Sequence, residues 1–199
     1  CAAPLAASAA AVVFDNGPPN HESGNNMGFA WQADDFTLCA CQPINGVTFW
    51  SLEADGAYRG SISWSIVRDL GGPALASGTQ SLVNRTALGS YLGLNEYRNE
   101  FSFGSALKLA AGTYWLVLHN GSFSDMGDPN EFLWETTNPN KTAVGMESFD
   151  GVTWTPNFNQ HAFVISAVPE PGQLAMLMAG LIVAGSLRRR EQRSAKFVR

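Results

Sequence analysis

Ser61-Ile62-Ser63-Trp64-Ser65-Ile66 alternates polar and apolar side chains without a break. That period of two places Ile62, Trp64 and Ile66 on one face of an extended chain and the serines on the other, the pattern of an antiparallel strand buried on one side. Working outward, Glu96 to Phe103 repeats it with Tyr97, Phe101 and Phe103, and Asn45-Gly46-Val47-Thr48-Phe49-Trp50 launches a strand from a turn-forming Asn-Gly pair. Segments 30–38, 113–119, 132–137, 144–149 and 161–168 are similarly rich in aromatic or β-branched residues. Turns separate them at Gly71-Gly72-Pro73, Ala110-Ala111-Gly112, Asn120-Gly121, Asp128-Pro129-Asn130, Asn138-Pro139-Asn140 and Asp150-Gly151. No amphipathic helix interrupts residues 12–167. About eight to ten short strands with such turns predict an all-β domain, a β-sandwich of jelly-roll type, with an up-and-down barrel as the alternative.

The charge distribution is uneven. The 199-residue chain carries 12 basic and 17 acidic side chains, and six of the basic ones fall within the last 12 positions. Between Val12 and Pro171 there are 6 basic and 16 acidic residues, a formal charge of −10. Phosphate backbones are bound through basic contacts that release counterions, so this balance excludes nucleic acid as a partner. The opening residues are small and apolar, and Ala7-Ser8-Ala9 has the A-x-A form that a signal peptidase accepts. Residues 1–11 are therefore read as the remnant of a signal peptide, and residues 12–167 as an exported domain. Cys39 and Cys41, with only Ala40 between them, lack the further ligands of a structural zinc site and are read as free or locally bridged thiols.

The tail has its own logic. Gly172 to Leu187 is 16 residues without a charge, closed by Arg188, Arg189 and Arg190. As a helix it would measure about 24 Å, short against a hydrocarbon core of about 30 Å. Snorkelling arginines and local thinning absorb such a mismatch. The arginines would hold the C-terminus on the cytoplasmic side, with the acidic domain outside. A helix apolar all round needs burial on every side, which an all-β domain does not offer. Preceding the run is Val168-Pro169-Glu170-Pro171, whose prolines keep the backbone extended and open to a protease-like site.

Those three parts, in that order and spacing, resemble the PEP-CTERM sorting signal of Gram-negative bacteria. The resemblance implies a motif (Val168, Pro169, Glu170, Pro171), one short hydrophobic transmembrane helix and an orienting cluster (Arg188, Arg189, Arg190) across residues 168–190, with residues 191–199 as a cytoplasmic tail. It implies recognition by an exosortase, a membrane-embedded transpeptidase-like enzyme, transient residence in the inner membrane, cleavage near the motif and delivery to the cell surface or beyond. Families with this signal accompany exopolysaccharide and biofilm formation. More weakly, Val12 to Gly17, Trp31 to Leu38 and Ala110 to Leu116 resemble phrases of sandwich ectodomains joined to this signal.

Enzymatic signatures are missing. The sequence has no G-x-S-x-G elbow, H-E-x-x-H, P-loop or dinucleotide fingerprint, and its histidines, His21, His119 and His161, are scattered. Asp34 and Asp35 are adjacent in a predicted strand and so point to opposite faces. The domain is read as non-enzymatic and without a cofactor. Two ligand readings are kept beside this. Asp125, Asp128, Asn130 and Glu131 offer hard oxygens to calcium within one loop, with Asp15 beside Asp34 or Asp35 as a second candidate set. Trp154, in a loop, and Trp31, in a predicted strand, are candidates for stacking on sugar rings in a lectin-like module. Trp64, in register with Ile62 and Ile66, is read as core.

Overall fold

The structure is a computed structural model that describes residues 11–139 and 143–167. The strands are β1 (Ala11–Asp15), β2 (Pro19–Asn26), β3 (Trp31–Leu38), β4 (Gln42–Glu53), β5 (Ile62–Val67), β6 (Ala74–Gln80) and β7 (Asn84–Tyr91). There follow β8 (Leu94–Leu109), β9 (Gly112–Asn120), β10 (Phe132–Thr137), β11 (Met146–Ser148), β12 (Thr155–Pro156), β13 (Gln160–His161) and β14 (Phe163–Ala167). Among the described residues there is no helix, so the all-β expectation is met; the predicted C-terminal helix lies outside them.

The strands form two antiparallel sheets. In the first, β7 pairs with β8 and β8 with β4. The other edge of β4 is divided: its Gly46–Phe49 portion pairs with β14, and Ser51 to Glu53 pair with β10. β1 continues outward from β14, while β2 and β13 both pair with β10. The second sheet runs β12-β11-β3-β9-β5-β6.

Alternation explains how the sheets pack. Ile62, Trp64 and Ile66 from β5, Tyr114, Leu116 and Leu118 from β9, and Phe36 and Leu38 from β3 face one way. They meet Val47 and Phe49 of β4, Phe101 and Phe103 of β8, Phe132 and Trp134 of β10, and Phe163 and Ile165 of β14. This is a sandwich core, each large apolar side chain contributing about 1.5–3 kcal/mol by leaving water. Trp64 is 3% exposed and lies 4.4 Å from the Phe103 ring. Trp134 is fully buried, its indole N–H donating to the Ala162 carbonyl.

The serines of β5 depart from expectation. Ser63 and Ser65 are also buried, because the outer face of the second sheet is not bare. Ala33, Val67 and Val117 form a second apolar cluster there, with Trp31, Trp115, Phe123, Met146 and Trp154 packed against it. Ser63 satisfies its hydroxyl on Thr79 at 2.8 Å.

Two polar networks are built into the sandwich. In one, the Arg85 guanidinium pairs with Glu53, donates to Asn99, and sits over the rings of Tyr58 and Tyr97 at 4.0 and 4.3 Å. Burial pushes the Glu53 carboxyl above its usual range, against hydrogen bonds from Ser51 and Arg85. In the other, Asp34 turns inward onto His161, both fully buried. Cys39 and Cys41 are free and exposed.

Candidate functional site

The outer cluster of the second sheet opens into a recess of about 230 Å³. Its floor is Val67 and Val117, and Trp31, Phe123 and Trp154 form aromatic walls. The two tryptophans proposed for sugar stacking are thus brought together from distant positions in the chain, with ring centroids 6.5 Å apart and tilted by 57°. Trp31 also lies 4.3 Å from the Phe123 ring, and its Nε1 donates to the Phe123 carbonyl at 2.9 Å.

The loop that delivers Trp154 is folded around Asp150. The Asp150 carboxylate accepts from the backbone N–H groups of Thr153 and Val152, at 2.6 and 2.8 Å, and from the Ser148 hydroxyl. Those backbone donors, Thr153 first, hold its carboxyl down at about 2. Gly151 follows in the left-handed region (φ 74°), where a Cβ would come within 2.3 Å of the Trp31 ring. Both the backbone angle and the indole therefore require glycine. Gly151→Ala is expected to cost at least about 1–2 kcal/mol from the backbone alone, read as a lowered urea midpoint, and to shift Trp31 fluorescence. An unchanged midpoint would show that the indole does not rest on this loop.

No charged side chain lines the recess, and its hydroxyls come from Ser65 and Ser77. The Trp154 Nε1 is buried without a hydrogen-bond partner among the described residues. Two tilted indoles, a third ring and two neutral hydroxyls can stack on a small neutral ring and hydrogen-bond its edge. The volume is below that of a drug-sized pocket, roughly 300–1,000 Å³, and accommodates a single ring rather than a chain. Gly151 is legible in the sequence only as half of the Asp150-Gly151 turn, and nothing local marks Phe123 as part of the recess.

The loop considered for calcium already holds a cation. Arg59 donates to the Asp128 carboxylate through Nε and a terminal nitrogen, both at 2.8 Å, and stands 3.9 Å from Asp125. The Asn130 backbone N–H and Arg59 together hold the Asp128 carboxyl below its usual range. The Asn130 carbonyl accepts from Asn26, and Glu131 points to solvent. A calcium ion in this loop would have to displace the guanidinium. In the second candidate set, Asp15 is exposed and accepts from Gly17 N–H, while Asp34 is committed to His161. Asp34 and Asp35 do not share a face.

Val168, Pro169, Glu170, Pro171, Arg188, Arg189 and Arg190 lie outside the described residues. A family model described as the PEP-CTERM protein-sorting motif matches residues 167–190, the segment that carries all seven. No curated protein matches the chain. The motif marks an exported, exosortase-handled chain.

Proposed function

We propose that this protein, addressed by a PEP-CTERM sorting motif at residues 167–190, works outside the inner membrane as a non-enzymatic surface or matrix component associated with exopolysaccharide. Its β-domain stays outside, tethered to the membrane through the tail only until the tail is processed. The position of the motif carries the reading. The last core strand, β14, lies between β1 and β4 and ends at Ala167, one residue before Val168. Every described strand therefore precedes the processing segment, and cleavage near Pro169–Pro171 releases a sandwich with its sheets intact.

Mass spectrometry of the mature protein tests the reading directly. A C-terminus between Val168 and Pro171 is expected, whereas an intact Arg199 in the membrane fraction would make the tail a plain anchor.

A second reading rests on the paired indoles: the recess binds one sugar ring, making the domain a carbohydrate-binding module. On a glycan array, binding should be lost in Trp154→Ala while the melting temperature changes little, because Trp154 is only partly buried. Uniformly blank arrays with the native chain would remove this reading and leave the sorting reading untouched.

A further inference from the structure

His21 of β2, Glu96 of β8 and Glu135 of β10 meet on the outer face of the first sheet, opposite the core-facing Phe101, Phe103 and Trp134 of β8 and β10. His21 Nδ1 is 3.0 Å from Glu135 Oε1 and 3.7 Å from Glu96 Oε1. One ligand atom from each residue lies within 4.8 Å of the others. Glu135 is fully buried and Glu96 is 3% exposed. Among the described residues neither pairs with a lysine or arginine, and Glu135 Oε2 is buried with no hydrogen-bond partner.

Two buried carboxylates beside one half-buried imidazole leave negative charge uncompensated. Buried charge of this kind is stable only when paired or bound to a metal. Burial, and then the neighbouring Glu96, push the Glu135 carboxyl up to about 7, against the opposing pull of His21. The imidazole is also held in place. His21 has a left-handed backbone (φ 60°), and its ring is stacked on Tyr91 at 3.9 Å and 8°.

We propose that His21, Glu96 and Glu135 bind a divalent transition-metal cation of the zinc class. Zinc bonds to imidazole nitrogen and carboxylate oxygen measure about 2.0–2.2 Å. Ligand atoms around such an ion are then separated by roughly 3.0–3.5 Å, close to the two distances observed. A mixed nitrogen and oxygen donor set favours zinc over calcium, which takes oxygen alone. Bidentate binding by Glu135 would give its second oxygen the partner it lacks, and open positions would pass to water. β2 and β8 are not hydrogen-bonded to each other; β10 and β4 lie between them. The ion would tie β2 and β10 to β8 across the intervening β4.

The test uses the full chain with Cys1→Ser, Cys39→Ser and Cys41→Ser, since free thiols would otherwise compete for zinc. After incubation with zinc and dialysis, one retained equivalent is expected by elemental analysis, with a raised melting temperature that EDTA reverses. Cobalt should give ligand-field bands without thiolate charge transfer. His21→Ala and Glu135→Gln should each weaken zinc binding at least tenfold. In EDTA, Glu135→Gln should melt above the parent, because an amide can still accept from His21 without a buried charge. That rise also shows that the variant folds. No zinc retention by the parent, undiminished binding in both variants, or a response to calcium but not zinc would each overturn the proposal.

Discussion

Asp34→Ala is expected to lower unfolding stability by about 3–5 kcal/mol, because each buried donor left without an acceptor costs about 1–3 kcal/mol. Asp34 and His161 are both fully buried. The Asp34 Oδ2 accepts from the His161 backbone N–H at 2.6 Å and from its Nδ1 at 3.0 Å, and Oδ1 accepts from the Asp35 N–H at 2.8 Å. A carboxylate can only accept, so Nδ1 is the donor in this contact. The other ring nitrogen faces Asn25 Oδ1 at 3.1 Å, and the ring stacks on Trp134 at 4.5 Å. Alanine would strand three buried donors at once and loosen the stack on the largest core side chain. For a chain of this size, each kcal/mol moves the melting temperature by about 2–4 °C, so thermal denaturation should shift by roughly 10 °C. Asp34→Asn keeps an acceptor and should lose distinctly less. If alanine and asparagine melted alike, within about 1 kcal/mol of the native chain, the pair would not be holding β3 to the β13–β14 segment.

That contact also marks how far the sequence could be read. Alternation located β5 and β8, an Asn-Gly turn marked the start of β4, and richness in aromatic or β-branched residues located β3, β9, β10, β11 and β14. Alternation also placed Trp64 in the core. β2 was invisible: Pro-Asn-His-Glu-Ser-Gly-Asn-Asn has no apolar periodicity and becomes a strand by pairing with β10. At Gly24 a Cβ would lie 2.6 Å from Leu133 Cβ, so close approach rather than propensity shapes that pairing. β6 and β7, small or exposed along their length, were missed for the same reason. The sites were less legible than the strands. Asp34 and His161 are 127 residues apart, and His21, Glu96 and Glu135 come from three strands. Nothing local announces that scattered histidines will meet buried acids. Trp31 and Trp154 were singled out by residue type, but their recess exists only because the Asp150 turn folds back over the sheet. The tail is the reverse case: its information is linear, so sequence alone identified it.

Replacing Pro169, Glu170 and Pro171 together by alanine should abolish processing while leaving the fold unchanged. None of the three belongs to a described strand, and β14 spans Phe163–Ala167. Alanine removes the two fixed φ angles and the carboxylate between them, the features that set this motif apart for an enzyme that reads it. The uncleaved chain should then accumulate in the membrane fraction with Arg199 intact, and mature protein outside should fall at least tenfold. Replacing Arg188, Arg189 and Arg190 by glutamate should fail differently. The apolar run is only 16 residues; as a helix it would measure about 24 Å and would depend on arginines reaching the cytoplasmic interface to hold its position. Acidic residues supply no positive-inside bias, so this chain should be lost from the membrane fraction without being cleaved. The two variants thereby separate an address from an anchor. A plain anchor needs the arginines but is indifferent to the prolines, whereas a signal read by an enzyme needs both. Equal membrane retention of the alanine variant and the native chain, with Arg199 present in each, would assign the segment to anchoring alone.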